Sequence, residues 1–318
     1  MTKHPFNNGI KKYISGVDIS LKTENFDSSA LLAANDIKEI ISPAMYNNII
    51  AYITYVHPTD PDPEVEDIYA GHTDKWDEVL ERLRYAMAPF TLFHHFIWLQ
   101  LRISNDGITT YKSQEVTTAF GYQTSEAKES LLVQYAAFLK NLIDYMEEQK
   151  NIFKSWDESS QRTETQALLI QNYREFNKSF AIDNDAAFYL RAIQLMQEIT
   201  RDEIIPHIGK IADDISAKDK RKLQDILAYL TISRACMEWD YCYLPTPIRK
   251  GLINELSIKN GKESDTPKEL LSAKYRNKAE SWLASLDNKT TADKQAVDHP
   301  ADDIKIESYK PKQKDKFI

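Results

Sequence analysis

The stretch that decides the fold is Trp76–Leu101, WDEVLERLRYAMAPFTLFHHFIWLQL. Its apolar residues recur at intervals of three and four, which places them on one broad face of a helix. Pro89 falls inside this pattern and predicts a kink rather than the end of the helix. The stretch therefore predicts a long core helix, whose apolar face consists of Trp76, Leu80, Leu83, Met87, Phe90, Phe93, Ile97 and Leu101.

Helical spacing continues on both sides of this stretch. Upstream, apolar residues follow the capping residues Asp27–Ser29, and Pro43 suits the first turn of a second helix. Ile248–Ile258, after two prolines, is predicted to be a short strand or turn. We therefore expect a mainly α, multi-helix bundle, with further helices over about 124–150, 168–176, 185–200, 217–242 and from 266 through 282.

Three segments depart from the helical pattern. Asp106-Gly107 between Ile103 and Ile108 is a hairpin signal and predicts a short β excursion. Residues 1–25 show no sustained period and predict an extended N-terminal arm. Residues 289–318 are polar and charged, which is typical of a tail that is flexible or ordered only by a partner. Residues 26–288 between these ends are predicted to form the helical domain.

A weak internal repeat suggests that this domain contains a duplication. Asp36–Pro43 resembles Arg201–Pro206, and Leu83–Gly107 resembles Asp225–Gly251. Because the landmarks follow in the same order, they predict two helical halves, 26–150 and 160–288. The alternative is chance similarity between amphipathic helices.

Composition narrows the classes of function. Lys+Arg 40 against Asp+Glu 48 gives a net charge of −8, which argues against binding nucleic acid or anionic lipid as the main task. The longest apolar stretch, Ala86–Leu101, is too short and too polar to span a bilayer. Met1–Ile10 lacks the apolar region of a secretory signal, so synthesis in a reducing cytoplasm is expected.

The histidines, cysteines and clustered carboxylates of the sequence do not match a known pattern for a catalytic or metal-binding site. His94 and His95 are adjacent on a helix and point about 100° apart, so we predict that one is buried and hydrogen-bonded while the other faces solvent or a partner. Cys236 and Cys242 are predicted to point in different directions as reduced thiols. The proline-rich segment His57–Glu66 lacks the Gly and terminal Glu of an EF-hand and predicts a solvated acidic loop. We therefore predict no catalytic residue, no cofactor and no metal site.

A set of ordered motifs carries a family resemblance over roughly Ser28 to Gly251. They are Ala86–Phe90, Arg102–Ile108, Phe153–Ser159 and Asp202–Pro206. Together they resemble a family of virion proteins encoded by Bacteroidetes phages and prophages, including crAss-like phages. That family is similar in organisation to phage head–tail connector, or neck-ring, proteins.

The resemblance implies a homo-oligomeric ring, expected to be a dodecamer, in the virion neck. Its implied partners are the phage portal protein, the adjacent neck and tail rings, and genomic DNA that passes through without sequence-specific binding; no membrane is implied. The alternation Ile304-Lys305-Ile306 fits a strand added to a neighbour's edge, so the interaction residues we predict are Ile304, Ile306, Tyr309 and Phe317.

Two other functions are left open by the residues themselves. One is an enzyme of unrecognised type, metal-dependent through His94 or His95 and a carboxylate. The other is a helical regulatory adaptor that binds a single host protein. Stoichiometric metal in the purified protein would favour the enzyme, whereas a closed symmetric oligomer would disfavour the adaptor.

Overall fold

Helices dominate the computed structural model, which confirms the prediction of a mainly α, multi-helix protein. Among the described helices, none combines the length and apolar character needed to cross a membrane. The structure describes residues 5–6, 10–14, 26–56, 67–104, 107–110, 121–208, 216–258 and 267–297.

The described elements up to residue 150 follow the predicted order. Ser42 caps α2 because its hydroxyl accepts a hydrogen bond from the backbone N–H of Met45 at 3.2 Å, and Pro43 follows at the start of the helix. Trp76–Gln100 belongs to one helix that continues through Pro89, whereas Leu101, predicted to lie on its apolar face, begins the first strand. The elements are α1 (Asp27–Ile41), α2 (Pro43–Tyr52), α3 (Thr73–Gln100), β1 (Leu101–Ser104), β2 (Gly107–Thr110) and α4 (Gly121–Glu148).

The chain after residue 150 starts with short helices and ends with long ones. Side-chain caps explain several helix starts. The side chains of Asn172, Asp185 and Ser216 each accept a hydrogen bond from the backbone N–H of the residue three positions later. The elements are α5 (Lys154–Asp157), α6 (Ser160–Gln166), α7 (Tyr173–Ser179), α8 (Ala186–Arg191), α9 (Ile193–Ile199), a π-helical turn (Thr200–Ile204), α10 (Ile205–Ile208), α11 (Ala217–Glu238), α12 (Thr246–Ile258) and α13 (Pro267–Val297).

Two long helix pairs organise the packing. α3 lies along α4 and also contacts α1, whereas α11 lies along α13 and also contacts α9. One cluster of buried apolar side chains runs through both pairs, with Trp76 against Phe153 and Phe188 against Trp239 as aromatic contacts within it. A duplication would produce this order of packing, and the duplication stays a prediction.

The predicted short β excursion is confirmed as a pair of strands. β1 and β2 pair antiparallel, with Ile103 opposite Ile108 and Ser104 opposite Gly107. Gly107, which the hairpin signal places in the turn, is therefore the first residue of β2.

The prediction for Ile248–Ile258 was wrong, because this segment belongs to the helix α12. Pro245 and Pro247 stand at its start, and proline within a helix usually breaks it. However, Pro247 lies in the first turn of α12, where a missing backbone N–H costs no helical hydrogen bond. Ile248 and Leu252, four residues apart, are buried on one side of the helix.

Both predicted ends of the domain need correction. α13 continues to Val297, nine residues beyond the predicted end at 288. Five of these nine residues have good helix propensity, which can extend a helix without an apolar face: Lys289, Ala292, Lys294, Gln295 and Ala296. At the other end, Ile10–Tyr13 is a 3-10 turn rather than an extended arm. Phe6, Ile10 and Tyr13 are buried there, which ties this segment to α3.

Candidate functional site

The four predicted interaction residues lie outside the described part of the chain. Ile304, Ile306, Tyr309 and Phe317 all follow the end of α13 at Val297. Their pairing with a neighbour therefore stays a prediction. The acidic segment His57–Glu66 also falls outside the described residues.

His95 is the buried, hydrogen-bonded member of the histidine pair. Its Nδ1 lies 3.3 Å from the Ser29 hydroxyl of α1, and its ring packs 4.2 Å from that of Phe26. His94 is only partly exposed and packs edge-on against Phe90, with ring centroids 4.5 Å apart. The two side chains are thus used separately, as their spacing predicts. Within the described residues no group of three or more His, Cys, Asp or Glu side chains is placed to hold a metal ion.

The histidines predict a loss of stability in mild acid. Burial lowers the pKa of both His94 and His95 from the ordinary value of 6.5, so folding favours the neutral rings. Their contribution is present above pH 6.5 and is lost as pH falls through the lowered values. We expect His95→Gln, whose amide can still bond Ser29, to show a smaller drop in Tm between about pH 7.5 and pH 5 than the natural chain. Equal drops in thermal unfolding experiments would contradict this assignment.

The two cysteines are reduced and unreactive in this structure. Cys236 is buried, Cys242 is partly exposed, and neither forms a disulfide. Burial raises the pKa of each thiol to about 11, so both are protonated at neutral pH. A protonated thiol is a poor nucleophile and a poor metal ligand.

A buried ionic cluster that sequence reasoning missed joins the two halves. The Arg191 guanidinium at the end of α8 forms an ion pair with Asp36 of α1. The Tyr135 hydroxyl of α4 donates to Asp36 at 2.5 Å and accepts from Arg191 at 3.1 Å. Arg191 also lies over the Tyr243 ring, 4.5 Å from its centroid. Burial raises the pKa of Tyr135 well above its ordinary value, so the phenol stays neutral and remains the donor.

A cleft of about 490 Å³ adjoins this Asp36–Arg191–Tyr135 cluster. Its lining includes the carboxylates of Asp36, Glu39 and Glu164 and the guanidinium of Arg191. Asp36 and Arg191 are bound to each other, and each has a further hydrogen bond or ring contact. The arrangement therefore fixes helices α1, α4 and α8 relative to one another.

A second cluster repeats this design six residues earlier on α4. Arg249 of α12 is almost fully buried, and its Nε lies 2.9 and 3.0 Å from the two carboxylate oxygens of Glu129. Arg249 also donates to the Leu244 carbonyl and to the Thr246 hydroxyl, and Tyr241 donates to Glu129 at 3.1 Å. All three guanidinium nitrogens therefore donate to protein groups, and this Glu129–Arg249 cluster ties α12 to α4.

Another cleft of about 490 Å³ is lined by charged groups that are also paired. Asp144 accepts from Lys140, Tyr173 and Arg174. Glu147 accepts from the Trp156 indole at 3.0 Å and from Arg162 at 3.1 Å. These contacts hold the short helices after residue 150 against α4. Neither cleft brings together a nucleophile, a base and an orienting group.

Several large apolar side chains remain exposed on helices of both halves. Leu32 on α1 is 53% exposed and Met237 on α11 is 51% exposed. Both side chains therefore lie outside the large buried apolar cluster. Exposed apolar side chains mark protein contacts where they form a contiguous patch. The set is Leu31, Leu32, Val56, Val133, Ile205 and Met237.

Comparison with known proteins places the chain in a family whose role is open. No curated protein and no solved structure matches it. A family model described as a family of unknown function (DUF6712) matches residues 37–166 and 194–289, which together are well over half of the chain. The first matched segment covers the long helices α3 and α4, and the second covers α11 and most of α13. The protein therefore belongs to the DUF6712 family.

Proposed function

We propose that this chain is a structural protein of a phage neck ring, in which identical subunits join the portal to the tail and line the DNA channel. The observation that carries the proposal is the exposure of Leu32 and Met237 on helices of different halves. Subunits of a ring meet head to tail, through two different patches on each copy. Leu32 on α1 and Met237 on α11 are our candidates for the centres of these two patches.

The ionic clusters support a structural role. Asp36 with Arg191 and Glu129 with Arg249 form buried pairs that fix the relative positions of α1, α4, α8 and α12. A subunit that is built into a ring and bears load gains from such rigidity. The portal, the neck and the DNA channel enter the proposal through the resemblance of the sequence to phage connector proteins.

Complementation between two variants tests the head-to-tail contact. We expect Leu32→Ser and Met237→Ser each to abolish ring closure, since each loses one of the two patches. A mixture of the two variants retains one intact pair of patches, so dimers are expected but no rings. Native mass spectrometry separates these outcomes.

Control samples complete this experiment. Val56→Ser changes an exposed apolar residue beyond the end of α2, and we expect its rings to match those of the natural chain. A natural chain that stays monomeric, both alone and when mixed with the portal protein encoded in the same genome, would refute the ring.

A further inference from the structure

A basic strip lies along the α11–α13 pair of this acidic chain. The first six residues of α11, Ala217–Lys222, include four cations and one carboxylate. Lys274–Lys278 of α13 includes three cations and no carboxylate. The one carboxylate, Asp219, accepts from the capping Ser216. These two short stretches reverse the sign of the chain as a whole, whose net charge is −8.

Contacts between the helices align these cations along one edge. Lys222 of α11 donates to Ser285 of α13, and Lys278 of α13 donates to the Tyr229 hydroxyl of α11 at 3.0 Å. The helices are therefore antiparallel, with Lys222 beside residue 285 and Tyr229 beside Lys278. Lys218 lies one helical turn before Lys222 on the same face of α11.

Aromatic rings form the floor of this edge. The Lys278 ammonium lies 4.6 Å from the Tyr229 centroid and 4.9 Å from the Trp282 centroid, and Lys274 lies over Tyr275. Lys218, Lys222, Lys274 and Lys278 have no carboxylate partner among the described residues, so their charge is not neutralised locally. With a rise of 1.5 Å per residue, the strip from Lys218 to the level of Lys274 is about 22 Å long.

We infer that this lysine strip, Lys218, Lys222, Lys274 and Lys278, contacts the phosphates of double-stranded DNA. One strand of a duplex carries a phosphate every 3.4 Å or so along the axis, so the strip spans about six of them. The strip contains lysines, which meet phosphates as point charges and read no base sequence. The inference rests on the proposed ring for its biological setting, because it identifies the face of each subunit that lines the channel.

Binding of the full chain to a labelled duplex of about 30 base pairs tests the strip by fluorescence anisotropy. If three phosphates are contacted, affinity should fall about fortyfold between roughly 50 and 200 mM salt. The variant K218Q/K274Q/K278Q replaces the three exposed lysines of the strip. We expect it to bind at least about tenfold more weakly at the lower salt concentration and with a shallower salt dependence.

A control variant separates a local contact from net charge. K38Q/K128Q/K150Q makes the same change in net charge at lysines on α1, on α4 and just after α4. We expect it to bind the duplex within about twofold of the natural chain, because its lysines lie outside the strip. Equal losses for both variants would overturn the inference, and so would preferential binding to vesicles of anionic phospholipid over the duplex.

Native mass spectrometry of the same samples keeps the two proposals distinguishable. If the natural chain forms no ring but binds duplex through the strip, the ring proposal fails and the strip stands. If rings form and the strip variant binds duplex as well as the natural chain does, the strip fails and the ring stands.

Discussion

Replacing Arg191 with methionine is expected to lower the free energy of unfolding by about 3–5 kcal/mol. The substitution keeps much of the side-chain volume but leaves the Asp36 carboxylate, whose side chain is 9% exposed, without its cation. The Tyr135 hydroxyl loses one donor and keeps only its bond to Asp36. Chemical denaturation followed by circular dichroism measures the loss.

A matched surface pair gives the control for this result. Arg174→Met removes a guanidinium that is 65% exposed and lies 3.0 Å from Asp144. Exposed ion pairs contribute little, so the expected loss is below about 1 kcal/mol. The double variant D36N/R191M removes both charges of the buried pair and should recover part of the loss of Arg191→Met. If Arg191→Met and Arg174→Met cost the same, the cluster does not hold the fold as we argue.

The helices were predictable because their signal is local. The apolar face of α3 repeats every three to four residues within one continuous stretch, and burial of Trp76, Leu83 and Phe90 confirms it. The wrong prediction at α12 has a local cause as well. In a sequence, a proline in the first turn of a helix looks the same as a proline that ends one. The end of α13 at Val297 was not predicted, because the last residues of this helix show no apolar repeat and only their helix propensity favours a helix.

The ionic clusters were not predictable, since they depend on how distant elements meet. Asp36 and Arg191 are 155 positions apart, and no pattern in the sequence pairs them. A weak signal did exist, because Asp36 adjoins the buried Ile37 and lies one turn before the buried Ile40. A carboxylate at the edge of an apolar face needs a partner, but the sequence does not say which of the many cations supplies it.

The second large effect is expected for Arg249→Met, again about 3–5 kcal/mol. The Arg249 side chain is 2% exposed, and its loss leaves Glu129, the Leu244 carbonyl and the Thr246 hydroxyl without their shared donor. Arg276→Met, which removes a half-exposed guanidinium from its bonds with Glu203 and Glu280, is the matched control and should cost less than about 1 kcal/mol.

The shape of the Arg249→Met transition also decides whether the predicted halves are independent. Glu129 belongs to α4 in the first half and Arg249 to α12 in the second, while one apolar cluster runs through both. Because that shared core survives the substitution, we expect circular dichroism and tryptophan fluorescence to report a single coincident transition at lower denaturant. Two separate transitions would mean that the halves fold on their own and that Arg249 holds them together.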